Sequence, residues 1–302
     1  MEEKNNSAPL ANINPALFII LSLGVIFVTY QIFGGIISFA LTGPDMGSKI
    51  KDIKYFRIII SFSQFMLILV PVIVLNLLRG DNSQNTFRLN KPDYKIFILS
   101  IIGILVIQPF LQFYIVLQNK IIFSLPFGTD FLNKIKEFFD LLEAMVMEVV
   151  KSHSRAEFIT VVFVIAVTPA ICEEFLFRGL ILTNLLKFLR PVIAIIFTGL
   201  IFALFHFDPF NLIPLIILGI YITVTSYASN SIYTAIVLHF INNFISAMGV
   251  YILGEEFTSS TKNVSPDEFQ QLLLWGLISI ILFIIILLSV RKLYKSKNII
   301  SI

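Results

Sequence analysis

One short stretch, Ile171-Cys172-Glu173-Glu174-Phe175-Leu176-Phe177-Arg178-Gly179, constrains the fold of this chain more than any other. Two adjacent carboxylates and a guanidinium sit inside an otherwise apolar run from Phe158 to Leu186. A run of that length and polarity predicts a membrane-spanning helix. Each ionisable side chain near a bilayer centre costs about 2.5–3.5 kcal/mol on the insertion scale. Three together call for compensating partners, and ionisable groups at that depth mark a functional site by default.

The rest of the chain agrees with a membrane setting. Its 302 residues are 57% hydrophobic and only 14% charged, with a mean hydropathy of +0.90. That composition excludes an ordinary soluble domain. A net charge of +3, spread over loops, gives no basis for nucleic-acid binding. The single cysteine, Cys172, excludes an intramolecular disulfide and a cysteine-rich zinc module. The first residues lack the basic n-region of a signal peptide, so the first apolar segment is expected to be a retained span.

The predicted architecture is all-α: a polytopic bundle of about eight transmembrane helices with an additional amphipathic interfacial helix. The spans are expected near residues 15–42, 56–78, 95–118, 158–188, 191–207, 209–228, 231–253 and 269–291. Arg57 and Lys95 fall near span ends, where snorkelling is the simplest reading. After a break at Pro126-Phe127-Gly128-Thr129, apolar residues recur at helical spacing between Asp130 and His153, with charges elsewhere on the wheel. That pattern predicts a helix lying at the interface or packed over the bundle. Residues 1–157 thus form an N-terminal unit, 158–253 a core carrying the chemistry, and 254–302 a last span with a basic tail. The tail lysines and arginine place both termini in the cytoplasm by the positive-inside rule, although Lys49, Lys51 and Lys54 then fall on the opposite side.

Two of the three histidines, His206 and His239, also lie in apolar spans. Helical spacing puts Glu174 and Arg178 on one face, and likewise His239 and Asn243. Glu173 is turned by about 100° from Glu174, so the two carboxylates need not share a partner. Counted along helices, Glu173 lies about 21 Å from Lys187, His206 about 22 Å from Pro191 and Asn243 about 18 Å from Ser231. Those three references belong to one membrane face, so the polar residues meet at one depth.

A glutamate beside an imidazole can hold and deprotonate water. Imidazole and carboxamide N–H groups can stabilise an oxyanion. Zinc is the competing chemistry, with Glu173, His206 and His239 as ligands, although no His-Glu-x-x-His helix is present. Isolated, each residue has a plainer reading: a buried ion pair for Glu174 and Arg178, a core histidine, an interhelical amide. Cys172 reads as a small buried residue, and Asp208 as a turn or cap residue.

Glu-Glu-x-x-x-Arg, Phe-x-x-x-His and His-x-x-x-Asn, in that order on successive apolar segments between Phe158 and Gly249, resemble the CPBP family. That family includes the type II CAAX prenyl endopeptidases and the bacteriocin-immunity-like Abi proteins. The resemblance implies an eight-helix intramembrane endopeptidase with Glu173 as the water-activating base. It further implies His206, Glu174 and Arg178 as supporting or substrate-positioning groups, and His239 and Asn243 on the oxyanion side. The expected partners are the lipid bilayer and a membrane-embedded or lipid-anchored peptide or protein, in a bacterial cytoplasmic membrane. A transporter, or an immunity or scaffold protein using the same ionic network structurally, is the alternative. No internal repeat supports transport.

Overall fold

A computed structural model describes residues 7–42, 53–122, 129–254, 257 and 264–300. The described residues form helices joined by turns, with no strand among them. We number the principal helices α1 (Pro15–Ile37), α2 (Ile53–Arg79), α3 (Tyr94–Ile122), α4 (Thr129–Val150), α5 (Arg155–Leu185), α6 (Pro191–Phe205), α7 (Leu212–Ser229), α8 (Ile232–Leu253) and α9 (Pro266–Ser296). All except α4 and α6 are long and apolar enough to cross a membrane. The chain is an integral multi-pass membrane protein.

Local chemistry explains the boundaries. Asn14, Asp93 and Ser231 accept backbone N–H bonds at the starts of α1, α3 and α8. Gly80 and Asn230 adopt left-handed conformations that stop α2 and α7. The expected fifth span differs from the eight-span count. As α6 it has 15 residues, a rise of about 22 Å against a hydrocarbon core of about 30 Å. Pro191 opens this helix and it ends at His206, so the histidine stands at a helix terminus rather than within a span.

Cross-contacts fix which connections share an end of the bundle. Leu10 N donates to Leu78 O, Lys187 pairs with Asp81 at 2.5 Å, and Asn90 Nδ2 donates to Asn230 O. Tyr294 near the end of α9 reaches the Tyr227 hydroxyl at 3.4 Å. The start of α1, the α2–α3, α5–α6 and α7–α8 connections and the end of α9 therefore lie together. This is the arrangement that the depth comparison required.

α6 and α7 form a tight hairpin. A Cβ on Gly199 would lie 2.7 Å from the Ile220 backbone nitrogen, and one on Gly219 would lie 2.9 Å from the Gly199 carbonyl oxygen. Only hydrogen at both positions permits this approach. The principal core forms where α5 meets α1, α2 and α6, around Phe18, Ile68, Leu176, Phe177 and Phe202.

α4 forms over much of the region with the amphipathic pattern and is joined to the bundle at its C-terminal end. There Arg57 corrects the snorkelling expectation. Its side chain is buried, donating from Nε to Val149 O at 2.9 Å and from Nη2 to Lys151 O. It satisfies carbonyls left open by the end of the helix. Lys49, Lys51, the break at 126–128, Glu255 and Glu256 lie outside the described residues.

Candidate active site

α5 carries three of the expected residues, and its geometry departs from a regular helix on both sides of them. Its turns widen to the π form at Phe163–Val167 and again at Phe175–Ile181. Such insertions often occur at functional positions. Between them, Pro169 has no N–H to offer the carbonyl of Ile165 four residues back. Asn243 on α8 supplies the missing donor, with Nδ2 3.0 Å from Ile165 O. Thr168 Oγ1 donates to Phe163 O at 2.9 Å, beside the bond from its own backbone N–H. The proline break is thus sealed by the Asn243 side chain, as a low-dielectric setting requires.

The two adjacent glutamates take different environments. Glu174 is fully buried, and its Oε1 accepts from Arg178 Nη1 and from His239 Nδ1, each at 2.7 Å. Arg178 also donates from Nε to Thr223 Oγ1 at 3.2 Å and from Nη2 to Gly219 O at 2.9 Å. Its guanidinium carbon lies 4.6 Å from the centre of the Phe202 ring. This cation is neutralised and its donors are engaged, so α5, α7 and α8 are joined through one buried cluster.

Glu173 points elsewhere. Its side chain is 17% exposed and that of His206 is 30% exposed, against zero for Glu174 and Arg178. Glu173 Oε2 lies 3.7 Å from His206 Nε2 and has no hydrogen-bond partner, as is also true of Glu174 Oε2. His206 Nδ1 lies 2.7 Å from Phe202 O. A carbonyl only accepts, so Nδ1 carries a proton and Nε2 of the neutral ring offers a lone pair. A carboxylate oxygen and a lone pair then face one another across a gap too long for a direct bond. Phe202 borders both halves, its ring centre 4.6 Å from that of His206 and 5.8 Å from that of His239.

The structure therefore gathers all six expected residues around α5, α6 and α8, in two parts: a partly exposed Glu173–His206 pair and a buried Glu174–Arg178–His239 cluster. Asn243 joins α5 through a backbone carbonyl. Cys172 is buried, and Asp208 accepts from Phe210 N and Asn211 N in its turn, as expected of both. Among the described residues no group of three or more His, Cys, Asp or Glu side chains is arranged to hold a metal ion. Glu173, His206 and His239 do not form such a trio, and His239 Nδ1 is engaged by Glu174.

Sequence reasoning missed three residues, two of them on other helices. Gln108 Nε2 on α3 donates to Ile104 O at 2.9 Å and to Asn242 Oδ1 at 3.2 Å. Asn242 Nδ2 in turn donates to Asn243 Oδ1 at 3.2 Å. The backbone carbonyls of Ile104 and Ile165, acceptors at both ends, set the orientation of all three amides. On α1, Tyr30 lies within electrostatic reach of Glu173. Tyr30 occupies another widened turn, Phe27–Phe33. None of these residues belongs to a recognisable spacing motif.

Residues 155–245 match the family model described as type II CAAX prenyl endopeptidase Rce1-like. The match spans every site residue from Glu173 to Asn243, and it supports the resemblance to the CPBP/CAAX protease family. No curated protein and no solved structure matches the chain.

Proposed function

We propose that this chain is an intramembrane endopeptidase that hydrolyses a peptide bond of a membrane-embedded or lipid-anchored peptide or protein, using water held by Glu173 and His206. The observation that carries this reading is the 3.7 Å separation of Glu173 Oε2 from His206 Nε2. Both atoms are acceptors when His206 is neutral, and a polar gap of this kind is suited to a bridging water. The water donates one hydrogen to each and directs its own lone pair at the substrate carbonyl.

As the C–O bond forms, Glu173 accepts the water proton, and the carbonyl oxygen becomes an oxyanion. Asn243 has a second amide hydrogen beyond the one given to Ile165 O, and this hydrogen serves the oxyanion. His239 already spends Nδ1–H on Glu174, so it donates from Nε2 only as a doubly protonated ring. Collapse breaks the C–N bond, and the proton held by Glu173 passes to the leaving amine. Glu174 and Arg178 position His239 and the helices without touching the reacting atoms. No step here requires a metal.

The experiment compares membrane-protein and secreted-peptide termini in cells carrying wild type or Glu173→Gln at matched levels. Termini that disappear in the variant support the protease and identify its substrates. Identical profiles across growth conditions favour the transporter or scaffold alternative.

A further inference from the structure

The α2–α3 connection contains a buried cation outside the site described above. Arg88 is 8% exposed and has a backbone φ of 46°, a left-handed value uncommon for a residue with a side chain. Its Nη1 donates to Arg178 O at 2.9 Å, and its own carbonyl accepts from Ile232 N at 3.1 Å. These bonds attach the connection to α5 and α8. Among the described residues no carboxylate pairs with Arg88. None of its nitrogens is sealed away without a partner, and the residue borders an open space.

That space is a cavity of about 650 Å³ whose wall includes Arg88, Lys91, Tyr94, Tyr227, Asn230 and Tyr294. Asp93 also borders it, but its Oδ1 is occupied in capping α3, accepting from Lys95 N and Ile96 N. Burial pushes the Arg88 guanidinium down to about 10, and it remains a cation at neutral pH. A desolvated cation held in no ion pair is a costly arrangement, and an anionic ligand would relieve it.

We propose that this cavity binds a phosphate oxyanion, supplied by the headgroup of an anionic lipid. A guanidinium fork matches phosphate geometry, and the Lys91 ammonium adds a second charge. The cavity lies at the end of the bundle where α2, α3, α7, α8 and α9 have their termini. Its tyrosines belong to the residue types that collect at the headgroup level. Arg291, Lys292 and Lys295 line a neighbouring depression on α9, which further favours a negatively charged bilayer surface. The proposal stands independently of the protease reading.

Native mass spectrometry of the full chain, offered phosphatidylglycerol or phosphatidylcholine, tests the site. The wild type should retain phosphatidylglycerol preferentially, and Lys91→Gln should weaken that retention about fivefold. Arg88→Gln should weaken it at least as much. Because Arg88 also supports the Arg178 carbonyl, the exposed Lys91 keeps the test decisive if Arg88→Gln fails to fold. A parallel arm adds inorganic phosphate alone and follows thermal stability. Stabilisation by phosphate that is lost in Lys91→Gln, with no lipid preference, would retain the oxyanion site and overturn its lipid source. Equal retention of both lipids together with no phosphate effect would overturn the proposal.

Discussion

Glu174 Oε1 sits 2.7 Å from both Arg178 Nη1 and His239 Nδ1, so one buried oxygen joins two helices and restrains one of the site's imidazoles. Arg178→Ala removes the guanidinium of this cluster and leaves the Glu174 carboxylate without that partner in a fully buried position. The expected loss is about 3–5 kcal/mol of stability, with activity falling alongside. Thermal unfolding in detergent measures it, and an unchanged melting temperature would show that the pair contributes no net support.

Asn243→Ala should reduce kcat by about 10²–10³-fold, the usual effect of removing an oxyanion donor. It also leaves the Ile165 carbonyl without its donor, so its melting temperature should fall as well. Steady-state kinetics beside a melting curve separates the two effects. A wild-type kcat would remove Asn243 from the oxyanion role.

Gln108→Leu leaves Asn243 in place but removes the donor that orients Asn242. The Asn242 amide can then turn and release Asn243 Oδ1, which it holds in the wild type. The expected result is about a tenfold drop in kcat with KM little changed, equivalent to one hydrogen bond. Gln108→Glu should not rescue it, because a carboxylate cannot donate to Asn242. Equal activity of Gln108→Leu and wild type would disconnect this chain of amides from the site.

Gly219→Ala places a methyl group 2.9 Å from the Gly199 carbonyl oxygen and displaces the carbonyl that receives Arg178 Nη2. Overpacking of this kind costs about 1–3 kcal/mol. A melting curve reads the loss directly, and a neutral effect would mean that α6 and α7 separate easily.

Chelator treatment should leave turnover intact, since Glu173 and His206 are not joined by a third ligand among the described residues. Loss of turnover restored by one specific ion would instead transfer the water-activating role to a metal.

The membrane architecture was legible because apolar length is a one-dimensional property: the runs that became α1–α3, α5 and α7–α9 are visible without knowing their neighbours. The motif residues were legible for a related reason. Carboxylates, a guanidinium and imidazoles stand out in apolar segments, and their common depth follows from helix rise alone. The turn between Glu173 and Glu174 correctly anticipated separate partners. Arg57 was misread because its acceptors, Val149 and Lys151, lie on a distant segment, and nothing near Arg57 signals a helix terminus in need of donors. Gln108 and Asn242 were invisible for the same reason: a neutral amide in a helix has no distinctive spacing. α6 ends two residues short of the expected bound at Phe207, because hydropathy cannot tell where a helix stops at His206 and Phe207.

The most direct test of the central claim compares Glu173→Gln with Glu174→Gln, following both melting temperature and substrate cleavage. Glu173→Gln should melt like the wild type and no longer cleave, because it loses only the base. Glu174→Gln should melt lower, because it removes the charge that Arg178 requires. Cleavage by Glu173→Gln at the wild-type rate would contradict water activation by this glutamate.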